Sequence, residues 1–268
     1  MKVSIVTVCF NNVDTVEDTV RSVMSQTHSD LEHVIVDGKS TDGTVDILAK
    51  YRDRIDTIIS EPDEGIYDAM NKGIRLATGQ VVGFLNADDI YADDNVISDI
   101  VAAVQGGQYD AAYGDLVYVP RHDVSRVLRY WKAGEYRPGN FYNGWVPPHP
   151  TFFCRRFLFE KLGSFNSFYR IAGDFELMLR FIERHGIRIA YVPRPLVRMR
   201  VGGKANTIRG IVCGNREILH AFASNGLRPS LRFFWRKPFV KLSQLTRRRR
   251  GRGRHKVEVG ATARSEDR

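Results

Sequence analysis

The chain has 268 residues, enough for one large domain or two small ones at roughly 100–200 residues each. Its 43% hydrophobic and 11% aromatic content excludes disorder as the main state. Three widely separated cysteines, Cys9, Cys154 and Cys213, exclude a disulfide scaffold and offer no metal-ligand spacing, as suits a reducing cytoplasm. The net charge of +9 is uneven: residues 228–268 carry 14 Lys and Arg against 3 Asp and Glu, a net of +11, which leaves residues 1–227 at −2.

Val3–Val8 is a continuous β-branched apolar run, as expected of a strand covered on both faces. The opening MKVSIVTVCFNN lacks a small-residue cleavage site and so reads as that strand, not as a signal peptide. A helix follows with Val16, Val20, Val23 and Met24 on one face and Asp14 to Glu17 at capping-box spacing. Next come a strand at His33–Val36, the turn DGKSTDG, and a helix carrying Val45, Leu48 and Tyr51. A third strand, Thr57–Ser60, leads through EPDEG to a helix with Ile66, Ala69, Met70, Ile74 and Ala77 in register. The fourth strand, Val81–Leu85, ends in Asn86-Ala87-Asp88-Asp89.

Such alternation with short connections predicts βαβ units, a mainly parallel sheet and helices on both faces, an α/β fold. Ligands of these sheets sit beyond the carboxyl ends of the strands. Asn11, Asp37, Glu61 to Glu64 and Asp88-Asp89 each follow directly on a strand, so four polar loops fall on one rim. Farther on, Ala111–Val119 and Arg126–Tyr130 read as a hairpin, and WVPPHPTFFC as a rigid turn into a strand. A helix with Phe175, Met178, Phe181 and Ile182 precedes strands near Ile187–Val192 and Leu196–Val201, and a last helix covers about Ile211–Asn225. No stretch reaches the ~18 uninterrupted apolar residues of a membrane-spanning helix.

The acidic residues on the rim admit structural and chemical readings. Asp88-Asp89 could start a helix, but Asp93-Asp94 is the better cap for one beginning near Asn95. That leaves Asp88 and Asp89 as hard oxygen ligands for Mg²⁺ or Mn²⁺ bridging a diphosphate. Asp37 either shapes a loop or accepts a base N–H, and the following Gly38 permits a tight turn or close approach. Gly65 allows a ligand near a helix N-terminus, which favours phosphate, whereas Asn71 and Lys72 by themselves read as solvated surface. Asp174, at the start of an amphipathic helix, is an N-cap or a general base. His149, held between prolines, is structural or a secondary candidate on the acceptor side.

Together, DGKSTDGT, EGIYDAMNKG, NADD, HPTFF and AGDFELMLR resemble family 2 glycosyltransferases over about residues 1–205. The chain is similar to the non-processive enzymes of bacterial exopolysaccharide, colanic-acid, capsule or glycolipid biosynthesis. The resemblance implies a Rossmann-like GT-A fold over residues 1–227, with a nucleotide-binding half at about 1–110 and an acceptor half at about 111–227. It implies that Thr7, Asn11, Asp37 and Gly65 line a nucleotide-sugar pocket with Asn71 and Lys72 nearby. Asp88 would be the principal ligand of Mn²⁺ or Mg²⁺ with Asp89 beside it, and Asp174 the base of an inverting transfer, with a UDP-sugar the favoured donor. Asn86 and Gly173 depart from the family's acidic residues at those places, and Gly202-Gly203-Lys204 lacks the Ser of a Gly-Gly-x-Ser loop. The Gln-x-x-Arg-Trp signature of processive synthases is absent.

The basic tail, residues 228–268, is expected to be disordered or amphipathic. Leu231, Phe234, Trp235, Leu242 and Leu245 are interrupted by Pro238 and followed by Arg247–Arg250. We expect it to meet an anionic membrane surface rather than nucleic acid, making the protein cytoplasmic and peripheral at the inner face of the plasma membrane, near a glycan or lipid-linked acceptor. Two other readings are a sugar nucleotidyltransferase, which needs a Gly-rich loop where this chain has CFNNVDT, and a non-catalytic sugar-nucleotide or nucleic-acid binding protein.

Overall fold

The computed structural model describes residues 1–202 and 208–229. The rest of the Gly202-Gly203-Lys204 loop and the tail expected to bind membrane lie outside the described residues.

Seven-residue β1 (Val3–Cys9) is buried along its whole length, as its unbroken apolar run demands. It pairs in parallel with β2 (Leu31–Asp37) on one side and β4 (Val81–Phe84) on the other, and β2 pairs in parallel with β3 (Thr57–Ser60). The helices between them are α1 (Val16–Met24), α2 (Thr44–Ala49) and α3 (Ile66–Leu76). On the far side of β4 the next pairing is antiparallel. The segment entering through PPHPT supplies β8 (Phe153–Arg155), antiparallel to β4 and to β6 (Ala111–Val119). β9 (Ile189–Arg200) runs parallel to β6, β5 (Asp89–Tyr91) pairs antiparallel with β9, and β7 (Arg129–Trp131) forms the expected hairpin with β6. The order is β3-β2-β1-β4-β8-β6-β9-β5, with β7 off this path. The sheet is therefore mixed, with its longest ladders, β1 with β2 and β6 with β9, parallel as expected.

Alternate residues of the strands feed two faces. Val6, Val8, Val34, Val36, Val82 and Phe84 meet Tyr67 and Met70 of α3, residues of α5 (Phe157–Leu162) and α6 (Gly173–Met178), and Ile218 and Phe222 of α7 (Ile208–Ser224). On the other side, Val3, Ile5, Val81 and Leu85 meet Val96, Ile97, Ile100 and Val104 of α4 (Val96–Gln105), while Ile35 meets Val16 and Val20 of α1. Gly73 lets α3 lie close on β1: a Cβ there would come within 2.2 Å of Val6.

Some local expectations change. α1 has no side-chain cap; Val16 N–H donates to Asn12 O at 2.9 Å, and Glu17 accepts from Tyr51 Oη and Arg21 instead. The two strands expected after residue 187 are one, β9, whose register against β6 shifts around Asp115. Pro193 and Pro195 break the apolar pattern there without ending the strand.

Candidate functional site

The carboxyl ends of β1, β2, β3 and β4 converge on one rim, because these strands are mutually parallel. Asp37 is the hub of its loops. Its carboxylate accepts Ser40 N–H at 3.0 Å, Ser40 Oγ, and Ser60 Oγ at 2.6 Å, so it ties the turn after β2 to the end of β3. The close approach at Gly38 is made by the protein itself, since a Cβ there would stand 2.4 Å from Asp63 Oδ2. Asn11, in the left-handed region at φ 55°, accepts Thr41 N–H at 2.9 Å and donates its own N–H to Ser40 Oγ at 2.8 Å. Phe10, beside it, is 60% exposed. A large aromatic left uncovered on this rim is a functional candidate the sequence reading missed; its signal was an aromatic residue directly after a buried strand.

Gly65 precedes α3 with φ 129°. Its N–H donates to Asp63 Oδ1 at 2.8 Å, and Arg170 reaches over from far along the chain to donate to Glu64 O. Arg170 thus brings an exposed positive charge to the N-terminus of α3, and sequence spacing held no sign of it.

Three expected ligand contacts are used elsewhere. Thr7 is fully buried within β1, with its hydroxyl 3.0 Å from His33 Nε2. Asn71 spends both ends of its amide on Phe165, accepting from N–H at 2.9 Å and donating to O at 2.8 Å. Lys72 donates to Pro62 O at 2.6 Å and pairs with Glu61 at 2.8 Å, stapling the loop before α3. All three brace the rim from behind.

Asp88 and Asp89 part company. Asp88 is half-buried, and among the described residues no other side chain donates a hydrogen bond to its carboxylate; burial pushes its carboxyl above the usual range against the attraction of Arg200 and Arg121. Asp89, as the first residue of β5, is fully buried; its Oδ1 accepts Arg200 N–H at 3.2 Å and its Oδ2 has no partner. Burial and the neighbouring Asp88 push the Asp89 carboxyl well above the carboxylate range. In place of a second rim ligand, Asp89 belongs to the wall that holds the turn. Arg200 completes that wall by donating to Asp88 O at 2.8 Å, Arg121 O at 2.8 Å and Asp18.

Among the described residues no cluster of three or more His, Cys, Asp or Glu side chains could hold a metal ion. A Mg²⁺ or Mn²⁺ that keeps waters and takes phosphate oxygens needs only one or two carboxylates. Asp88, with the unpaired buried Asn86 Oδ1 two residues before it, fits that demand.

Asp174 lies in the first turn of α6, where its Oδ1 accepts Phe175 N–H at 2.8 Å and Tyr67 Oη–H at 3.3 Å. Tyr67 is 6% exposed, and its ring sits where a Cβ on residue 173 would be, 2.8 Å away. Glycine at 173 is therefore a steric requirement. Behind it, Glu217 of α7 accepts the N–H groups of Arg170, Ile171 and Ala172 at 2.9, 2.9 and 2.7 Å, fixing the approach to Asp174.

An aromatic ladder runs from the end of β4 to the residue that bonds Asp174. Phe84, two residues before Asn86, stacks on His149 at 5.5 Å; His149 meets Phe165 edge-on at 5.7 Å; and Phe165 stacks on Tyr67 at 5.5 Å. His149 is buried with Nε2 unpaired. Burial pushes its ring below the usual imidazole range against the pull of the Asp174 charge, so it is a neutral group between the turn and the base.

A parallel αβ half ending in a polar rim, closed by a mixed half that contributes a carboxylate, is an α/β fold of the GT-A type. The sequence profile of glycosyl transferase family 2 matches residues 4–164, and the chain belongs to that family. A PGL/p-HBAD biosynthesis glycosyltransferase of Mycobacterium bovis is 30% identical over 194 residues, 70% of this chain and 72% of the relative. Among solved structures, S. aureus TarS 1–349 in complex with UDP-GlcNAc superposes with a TM-score of 0.67 at 17% identity, over 97% of this chain and 76% of that one. The mannosyltransferase PcManGT of Pyrobaculum calidifontis, in complex with GDP-Man and Mn²⁺, gives 0.61 at 19% identity, over 93% and 76%. At such identities these likenesses establish the fold alone.

Proposed function

We propose that the protein is an inverting, non-processive glycosyltransferase that moves a hexosyl group from a nucleoside-diphosphate sugar, with UDP favoured, to a hydroxyl of a glycan or lipid-linked acceptor in surface polysaccharide or glycolipid assembly. The observation that supports this is a run of packed rings from Phe84, four residues before Asp88, to Tyr67, whose hydroxyl donates to Asp174. The relative named for PGL/p-HBAD biosynthesis and the solved neighbours holding UDP-GlcNAc and GDP-Man support the substrate class.

On the donor side, the Phe10 face is free to stack on a base, and Asp37 and Asn11 hold the loops around it. Arg170 and the α3 N-terminus attract the diphosphate. Asp88 would hold a divalent cation together with phosphate oxygens and water; when bound, that ion neutralises charge on the departing diphosphate. The Mn²⁺ in the complex of PcManGT supports this, with Mg²⁺ the other choice.

On the acceptor side, Asp174 takes the hydroxyl proton as the oxygen bonds to the anomeric carbon. The bond from that carbon to phosphate oxygen breaks, its electron pair leaves with the nucleoside diphosphate, and the configuration inverts. Tyr67 holds one oxygen of the base so that the other can face the acceptor, while neutral His149 adds no competing charge. The described residues contain no helix long and apolar enough to cross a membrane. We place the protein in the cytoplasm at the inner membrane face, held by the basic tail.

A thermal-shift screen of UDP-, GDP- and TDP-sugars with Mn²⁺ or Mg²⁺ identifies the donor through the rise in melting temperature on binding. With that donor, Asp174→Asn keeps the thermal shift while transfer falls by about 10²–10⁴-fold. Near-wild-type transfer in this variant would remove Asp174 from the mechanism.

A further inference from the structure

Helix α7 turns one face to the segment that carries Asp174. Glu217 grips the three amides before Gly173, a Cβ on Gly214 would lie 3.2 Å from Ile171, and Ala221 and Phe222 are fully buried. The opposite face is apolar and open. Ile211, Val212 and Leu219 are 47%, 50% and 41% exposed, and Val212 and Leu219, seven residues apart, share one stripe. Phe168 extends the stripe from the adjoining turn: it is 63% exposed, with its ring 4.7 Å from that of His220.

Glu217 is the only acidic residue of α7, and it is turned inward, whereas the positively charged Arg216 is exposed. Directly after the helix the chain runs into residues 228–268, of net charge +11. An apolar stripe with basic groups beside it, continuous in sequence with so basic a segment, suits a surface of anionic headgroups over acyl chains.

We propose that the outward face of α7, with Phe168, docks on an anionic lipid bilayer as a folded partner to the basic tail. Because α7 carries the clamp on residues 170–172, docking turns the Asp174 side of the site toward the membrane. Its consequence, resting on the glycosyl-transfer reading, is that the accepting hydroxyl is carried on a lipid and not on a free glycan.

The test uses the full chain without any sugar nucleotide, so its outcome is independent of whether transfer occurs. Co-sedimentation is measured with vesicles of phosphatidylcholine containing about one-third phosphatidylglycerol, and with phosphatidylcholine alone. Val212→Glu/Leu219→Glu, at exposed positions that leave the melting temperature unchanged, weakens binding to the anionic vesicles about tenfold or more with the tail intact. Phe168→Ser, on a separate segment, weakens it in the same direction. A full-length variant with Arg247–Arg250 replaced by Gln measures the tail's own share. Wild-type vesicle binding by the α7 double variant would overturn the proposal and leave the tail as sole anchor. Failure of the unaltered chain to sediment with anionic vesicles, or a lower solution mass for the double variant with vesicle binding intact, would overturn it as well, the latter marking the stripe as a contact between copies.

Discussion

Tyr67 does two things with one side chain. Its ring fills the space above Gly173, and its hydroxyl reaches Asp174 Oδ1 at 3.3 Å. Removing only the hydroxyl separates them. Tyr67→Phe keeps the packing on Phe165 and Gly173, so the melting temperature and the KM for donor stay at wild-type values. kcat then falls about tenfold, the equivalent of ~1.4 kcal/mol from one hydrogen bond to a charged group. Unchanged kcat would show that the hydroxyl plays no part in holding the base. Asp88, Asp174 and Gly65 stand where the sequence puts them, at a strand end and at two helix starts. Thr7, Asn71 and Asp89 have partners that local pattern does not announce, because polar chemistry that could bind a ligand also satisfies a neighbour: His33, the Phe165 backbone and Arg200 N–H. Arg170 and Phe10 were missed for the reverse reason, since an exposed arginine or phenylalanine carries no periodicity.

At the scale of elements, α7 and the approach to α6 act as one piece. Three successive amides that point at a single carboxylate form a cradle whose occupant, Glu217, is 8% exposed. Glu217→Ala leaves those amides without their acceptor, which costs about 2–3 kcal/mol of stability. Amide exchange at residues 170–172 speeds up in step, while exchange in β1 and β2 changes only by the global loss. Unaltered protection of residues 170–172 would show that the loop holds its shape unaided. The βαβ half was readable element by element, because its period-2 and period-3.6 patterns are long and clean. The second half was not: β8 and β5 have three residues each, too few to display alternation, and the prolines of β9 mimic a break. Antiparallel entry of β8 follows from its connection to β6 rather than from anything in Phe153–Arg155 itself, so the mixed sheet could not be read from local pattern.

At the scale of the whole molecule, two halves of one sheet meet across four packed rings. The parallel half presents Asp88, the Asp37 loops and a helix N-terminus; the mixed half presents Asp174, His149 and the helix that faces outward. The proposed transfer needs both. The aromatic contacts between Phe84, His149, Phe165 and Tyr67 run from the end of β4 to the start of α6, and such rings resist deformation because protein interiors are close-packed. Family membership is independent of this geometry, whereas the assignment of the phosphate side to Asp88 stands or falls with it. The most direct test is a calorimetric titration of the donor found by thermal shift, with and without Mn²⁺, into wild type and Asp88→Ala. The account predicts that the metal tightens donor binding to the wild-type protein by about tenfold or more and has no such effect on Asp88→Ala, whose melting temperature without ligand is unchanged. Equal metal-dependent tightening in both proteins would contradict it.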